Sequence, residues 1–281
     1  MPHSHPLTGS RNLFDLDGAV AVVTGSTRGI GRATAEWLLR YGARVTVSGR
    51  DPHKTAEAAA ELDPTGTAVL PVACNISNED DLEQIVEKTV ERWGRIDVLV
   101  CNAAVSPYFG PAAQMPRSAY QKVIDCNITA NVILTNKVAP IMADNGGGSI
   151  VIVSSIGGQR GSTHLGAYAI SKAADMQLAR NLAVEWGPQG VRANCVAPGL
   201  IRTDMAAAFV DQPDVLRRRV HHTPLQRIGE VDEVAAAIVM LAGPGGGYIS
   251  GQTIVIDGGT VAGSPWQTEG GEEPGTAEVH R

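Results

Sequence analysis

Cysteine is scarce in this 281-residue chain, and the four present, Cys74, Cys101, Cys126 and Cys195, form no C-x-x-C pair. That spacing excludes a disulfide framework and a thiolate zinc site, and no metal is expected. It leaves reduced thiols and a cytoplasmic protein as the expectation. Three of the four sit in or beside apolar runs, where a thiol packs as a small core side chain. Positive charge is not in excess either: 23 Lys and Arg stand against 29 Asp and Glu, a net charge of -6. A mildly acidic chain has no electrostatic footing for nucleic acid or an anionic membrane as partner. No apolar stretch is long enough to cross a bilayer. The start, Met1-Pro2-His3-Ser4-His5-Pro6, lacks the apolar segment of a secretory signal and reads as a floppy arm. Internal repeats are absent, and no linker interrupts the middle of the chain.

What is present is a regular alternation. Short β-branched runs at Ala19–Thr24, Arg44–Ser48, Ala68–Ala73, Ile96–Asn102, Ser149–Ser154, Arg192–Val196 and Thr253–Ile256 read as strands. Several are apolar at almost every position, as strands covered on both faces are. Helical periods lie between them, such as Ile30, Ala33, Thr34, Trp37, Leu38 and Tyr41. Asp51-Pro52 reads as a helix cap followed by proline at the first helical position. Ser77 is placed to cap the next helix, with Asp80 answering it. Alternation of this kind predicts an α/β fold of parallel strands joined by right-handed crossovers. With 43% hydrophobic residues the chain can build one large core. The expected organisation is a flexible arm over 1–12, one catalytic domain over 13–262 and a flexible, Gly- and Glu-rich tail over 263–281, with Trp266 as a possible anchor.

Two motifs carry the chemistry. Thr24-Gly25-Ser26-Thr27-Arg28-Gly29-Ile30-Gly31 stands at the first strand–helix junction. There, glycines let a pyrophosphate approach the backbone, and the helix N-terminus offers unpaired N–H groups. The second strand ends in Ser48-Gly49-Arg50, with no carboxylate where an NAD-binding fold usually presents one to the ribose hydroxyls. Arg50, with Arg28 in the loop, would instead pair with a 2′-phosphate, so NADP(H) is expected and NAD(H) remains possible. The competing reading makes Arg50 a solvated residue and Asp51 the acid, shifted by one place. Asn75-Ile76 ends the third strand, where adenine would lie. Asn102-Ala103-Ala104 ends the fourth, where small residues admit the cofactor.

Tyr168 and Lys172 are four positions apart and share a helix face. A phenol titrates near a pKa of about 10, and a neighbouring ammonium and an oxidised nicotinamide both favour its ionised form. Ser155, at the end of the preceding strand, can donate a hydrogen bond to a substrate oxygen. Ser154 competes with it for that role.

With these motifs, and with Asn127, Pro198-Gly199 and Asp257-Gly258-Gly259, the chain resembles the short-chain dehydrogenase/reductase family from about Leu13 to Gly259. The resemblance implies a Rossmann-type, doubly wound sheet of seven parallel strands in the order 3-2-1-4-5-6-7. It makes Tyr168 the catalytic acid/base, Lys172 the ribose-binding residue that tunes it, and Ser155 the group that orients the carbonyl. Asn127 would hold a water linking the lysine to solvent. Pro198, Gly199, Ile201 and Thr203 would contact the nicotinamide carboxamide, and a homotetramer is implied. Ala104 departs from the glycine that the family often has there. The segment from Asp204 to Thr223 would be the substrate lid. Its Arg217, Arg218, Arg219, His221 and His222 read first as a solvated face. Substrate-pocket candidates are Ser106, Pro107, Tyr108, Phe109, Ile156, Gln159 and His164.

The expected activity is hydride transfer between NADP(H) and a small carbonyl or secondary-alcohol substrate, closest to carbonyl and 3-oxoacyl reductases. An NAD(H)-dependent sugar or polyol dehydrogenase is the alternative enzyme. A non-catalytic dinucleotide-binding regulator is the alternative of another class, opposed by the complete set of Asn127, Ser155, Tyr168 and Lys172.

Overall fold

Seven strands alternate with helices along the chain, as the apolar runs require. The computed structural model describes residues 12–206 and 212–263. Its strands are β1 (Val20–Val23), β2 (Arg44–Gly49), β3 (Val69–Ala73), β4 (Val98–Cys101), β5 (Gly148–Val153), β6 (Val191–Pro198) and β7 (Thr253–Ile256). They form one sheet in the order β3-β2-β1-β4-β5-β6-β7, parallel at every pairing. The expected strand order is therefore observed. The helices are α1 (Gly29–Arg40), α2 (Pro52–Leu62), α3 (Glu79–Trp93), α4 (Arg117–Val123), α5 (Ala130–Asp144), α6 (Gly166–Trp186), α7 (Pro213–His221) and α8 (Val231–Ala242).

The two-residue period of the strands divides the core. From β5, Val151 and Val153 face a cluster built with Leu38 of α1 and Ile238 and Leu241 of α8. Ile150 and Ile152 face the opposite cluster, with Leu82 and Ile85 of α3, Leu134 of α5 and Leu182 of α6. Both faces of the sheet are thus covered, which explains runs that are apolar at every position. All four cysteines lie buried and unbridged in this core. Burial pushes their thiols up, that of Cys74 to about 12. None is a thiolate at neutral pH.

The helix ends test the reading of caps. Asp51 caps α2 as expected, its carboxylate accepting from the His53 and Lys54 N–H groups at 2.9 and 3.2 Å. The α3 cap is Asn78 rather than Ser77: the Asn78 side chain accepts from the Asp80 N–H at 3.0 Å. Ser77 is drawn off by Asn75, whose Oδ1 accepts from the Ser77 hydroxyl at 2.9 Å. At the far end of α8, Arg192 donates to the carbonyls of Leu241 and Gly246 at 2.7 and 2.8 Å, supplying partners the last turn lacks. Among the described residues no helix is long and apolar enough to cross a membrane. Residues 1–11 of the expected arm, Trp266 and the tail beyond residue 263, and residues 207–211 of the expected lid lie outside the described residues.

Candidate active site

The carboxyl ends of β1, β4, β5 and β6 all feed one edge of the sheet, at the switch point where strand order reverses between β1 and β4. The glycine loop leaves β1 here. It is held from two sides. Ser26 Oγ donates to the Val23 carbonyl at 2.7 Å and accepts from the Ser48 N–H at 2.8 Å, locking the loop to β2. Asn102, at the end of β4, donates through its amide to the carbonyls of Thr24 and Gly25 at 2.9 and 3.0 Å. Thr24 Oγ1 in turn accepts from the N–H groups of Asn102 and Ala103 at 3.0 and 3.1 Å. Asn102 therefore shapes the loop, and its amide is committed to backbone rather than turned outward.

The loop fits a dinucleotide. Helix α1 starts at Gly29 behind Arg28, which offers no side-chain cap, and its first turn carries no acidic residue. Its first N–H groups thus meet no carboxylate from their own turn, an arrangement suited to a phosphate. Closeness is enforced at Gly31, where an added Cβ would lie 2.4 Å from the Gly25 carbonyl oxygen and 2.5 Å from the Asn102 amide. Gly31→Ala is expected to push the loop off its seat, lowering cofactor affinity by about tenfold or more while Tm falls by only a few degrees. Titration of cofactor fluorescence, alongside a melting curve, checks this. Thr27 faces Gly49 at the end of β2, and Ile30 packs on the α8 side of the core.

Arg50 is exposed at the end of β2. Asp51 caps α2 through Oδ1 alone. Arg28 stands differently from expectation. Its guanidinium pairs with Asp204 at 2.8 Å, across from the glycine loop to the lid segment. Both partners are largely exposed, so the pair is weak and readily exchanged. Asn75 is committed to its own turn through Ser77, and Ile76 packs against the α3 and β4 side of the core. Ala103 and Ala104 stay half-exposed at the edge.

The second motif is assembled on α6. Tyr168 is half-buried, and the Lys172 ammonium lies 5.8 Å from its ring centroid. Lys172 is 2% exposed; its Nζ donates to the Val153 carbonyl at 2.7 Å and to Asp175 Oδ2 at 3.0 Å. Burial is the strongest single influence and pulls the ammonium down, but the Asp175 carboxylate, the Tyr168 phenol and the Cys195 thiol together carry the net direction up. Of the two serines, Ser154 is buried and donates to the Lys172 carbonyl at 2.6 Å, which ties β5 to α6. Ser155 Oγ accepts from the Gly157 N–H at 3.1 Å, so its proton is the one left to donate at the cleft.

Asn127 sits in a π-helical turn (Ile124–Thr129) joining α4 to α5. Such turns release backbone groups from the helix ladder and are common at functional sites. Its side chain accepts from the Val105 N–H at 2.8 Å and donates to the Val105 carbonyl and Ser171 Oγ, both at 3.0 Å. It thereby joins the β4 end to α6. Pro198, the last residue of β6, is buried, as is Ile201 beyond it, and Gly199 packs against Asp257. The Thr203 methyl stands over Gly29. Two hollows flank this segment. One of about 220 Å³ is lined by Leu200, Thr223 and Asp257 among others, and one of about 330 Å³ by Gly29, Thr203 and Asp204. Neither reaches Tyr168 or Ser155.

Comparison with known proteins identifies this arrangement. A family model described as "Enoyl-(Acyl carrier protein) reductase" matches residues 25–261. A Bos taurus protein, "Dehydrogenase/reductase SDR family member 4", is 40% identical over 247 residues, covering 88% of each chain. The chain belongs to the short-chain dehydrogenase/reductase family. Two solved structures of this family's fold bracket the cofactor question. A 7α-hydroxysteroid dehydrogenase complexed with NADH and a 7-oxo bile acid is 30% identical, with a TM-score of 0.84 over 90% of this chain and 98% of that one. A gluconate 5-dehydrogenase from Burkholderia cenocepacia in complex with NADP and tartrate is 27% identical, with a TM-score of 0.85 over 93% and 100%. Those two proteins hold different nicotinamide dinucleotides, NADH in the first and NADP in the second.

Two buried polar residues were not singled out from the sequence: Asp175 and Asn131. Asp175 is 1% exposed and Asn131 5%. Their signal was present as a lone carboxylate three residues after Lys172, and an asparagine four residues after Asn127, both on helices otherwise packed into the core.

Proposed function

We propose that this short-chain dehydrogenase/reductase transfers a hydride between NADP(H) and a carbonyl or secondary-alcohol carbon, with Tyr168 moving the proton. The observation that carries the reading is the anchored Lys172 ammonium beside the Tyr168 ring, one helical turn away and 5.8 Å from its centroid. NADP(H), when bound, supplies or accepts the hydride. The chain's own groups do the rest. Ser155 donates a hydrogen bond from its hydroxyl to the substrate oxygen and holds it in place. Tyr168 gives its proton to that oxygen during reduction and recovers it in the reverse direction. Lys172 keeps positive charge next to the phenol and presents its remaining N–H to the ribose. Asn127 fixes Val105 and Ser171 around them.

For the cofactor, Arg50 is the proposed partner of a 2′-phosphate, with Arg28 available once it releases Asp204. Gly25, Thr27, Gly29, Ile30, Gly31, Asn75, Ile76, Ala103, Ala104, Pro198, Gly199, Ile201 and Thr203 line the rest of the proposed site, while Asn102 supports it from behind. The proposed assembly is a homotetramer and the proposed location the cytoplasm, where the four thiols would stay reduced. The comparison with a gluconate dehydrogenase keeps a sugar or polyol as the second substrate class.

The substrate class is tested with a panel of ketones, aldehydes, 3-oxoacyl thioesters, enoyl thioesters and sugar acids, each followed by loss of NADPH absorbance. Turnover is expected with simple ketones or 3-oxoacyl thioesters. Turnover confined to enoyl thioesters would reject the carbonyl reading.

A further inference from the structure

Asp175 is the one buried carboxylate that the proposed chemistry leaves without a role beside the proton-transfer pair. It is fully committed. Oδ2 accepts from Lys172 Nζ at 3.0 Å, and Oδ1 accepts from the Asn131 amide at 2.9 Å. Asn131 is itself pinned, its second amide hydrogen going to the Asn127 carbonyl at 2.8 Å. That carbonyl belongs to the π-helical turn, so the network runs from Asn127 through Asn131 and Asp175 to Lys172 without a break. The remaining titratable groups facing the pair are the Cys101 thiol from β4 and the Cys195 thiol from β6, whose Sγ donates to the Asp175 carbonyl at 3.3 Å. Both thiols stay neutral. The charges of this buried cluster are therefore the ammonium and this carboxylate.

We propose that Asp175, oriented by Asn131, is a positioning residue for the Lys172–Tyr168 pair: it draws the ammonium back from the phenol and offsets part of its field there. The inference rests on the reading of Tyr168 as the proton-moving group. The geometry supports it on two counts. An ammonium has three protons to donate, and here the Val153 carbonyl and Asp175 take two of them, leaving one. Asp175 also lies seven residues along the same helix from Tyr168, roughly 10 Å by helical rise. At that range, with an effective dielectric near 20, a unit charge changes a titration by about one pH unit.

The test compares wild type with Asp175→Asn, which keeps the shape and removes the charge. In the alcohol-oxidation direction, the rising limb of kcat/KM against pH is expected to move to lower pH by about one unit. The same displacement is expected in cofactor-free protein, in the phenolate absorbance that is lost in Tyr168→Phe. Removing one partner of a buried ion pair is destabilising, so Asp175→Ser serves as a second neutral variant if Asp175→Asn does not fold. Asn131→Ala removes two hydrogen bonds, one to Asp175 and one to the Asn127 carbonyl, and keeps the carboxylate, so it should leave both titrations close to wild type while lowering Tm. A limb that stays in place or moves to higher pH in the neutral variants overturns the proposal. So does an Asn131→Ala variant that shifts as far as Asp175→Asn, because packing rather than charge would then be responsible. A Tyr168→Phe enzyme that keeps turning over would instead sink the underlying reading of Tyr168.

Discussion

Tyr168→Phe is expected to lower kcat by about 10²- to 10⁴-fold, the usual contribution of a positioned general acid, while leaving the affinity for NADPH within about twofold. The phenol contributes most as the proton moves, so its loss belongs in kcat and not in cofactor binding. The ring itself stays, so its packing beside the Lys172 ammonium is kept. The α6 helix is also secured independently of the phenol, by Ser154 to the Lys172 carbonyl and by Asn127 to Ser171. A fold defect is therefore not expected, and a melting curve should place the variant within a few degrees of wild type. Steady-state rates at saturating ketone, with a separate cofactor titration, make the distinction. A variant with near-normal kcat, or one that loses cofactor affinity in step with rate, would show that the hydroxyl has another task.

The second large effect is expected at the cofactor's far end. Arg50→Ala should weaken NADPH by about one to two orders of magnitude, the loss of one charge-assisted contact of roughly 1.5–3 kcal/mol. NADH, without the phosphate, should be nearly indifferent. Arg50 is exposed, so screening favours the lower end of that range. Arg28, whose exposed pair with Asp204 exchanges readily, can recover part of the loss, which also favours the lower end. Inverting the preference by adding Gly49→Asp meets an obstacle in the structure: a Cβ at position 49 would lie 2.7 Å from the Thr27 methyl and 3.1 Å from Thr55 Oγ1. Thr27 would have to rotate or be shortened as well. The measurement is kcat/KM for both cofactors in wild type and Arg50→Ala. A wild type that prefers NADH, or a variant that loses both cofactors equally, contradicts the assignment.

Most of the architecture was legible because it follows from local pattern and one chirality rule. Apolar runs marked all seven strands, and right-handed crossovers left few ways to order them. The glycine loop and the Tyr168–Lys172 spacing were equally local. What escaped were competitions among neighbouring polar groups and contacts between distant segments. Ser77 and Asn78 are both good caps, and the choice fell to Asn78 because Asn75 engages the Ser77 hydroxyl. Asn102 read as a cofactor contact, yet its amide bonds the backbone of a loop some 77 residues earlier. Arg28 found a carboxylate 176 residues away, in the lid. Asp175 and Asn131, 44 residues apart, gain meaning only when two helices bring them together. No periodicity reports such pairs, since a buried polar contact looks in sequence like a solvated side chain.

The central claim is hydride transfer from the nicotinamide to a carbonyl carbon, and isotope tracing tests it most directly. NADPH carrying deuterium at the transferable position of the nicotinamide is incubated with whichever carbonyl compound supports turnover, in ordinary water. The account predicts an alcohol with one deuterium, bound to the carbinol carbon, and a hydroxyl proton drawn from solvent. Deuterium on a carbon once part of a double bond to carbon, or an alcohol formed without deuterium, would contradict it.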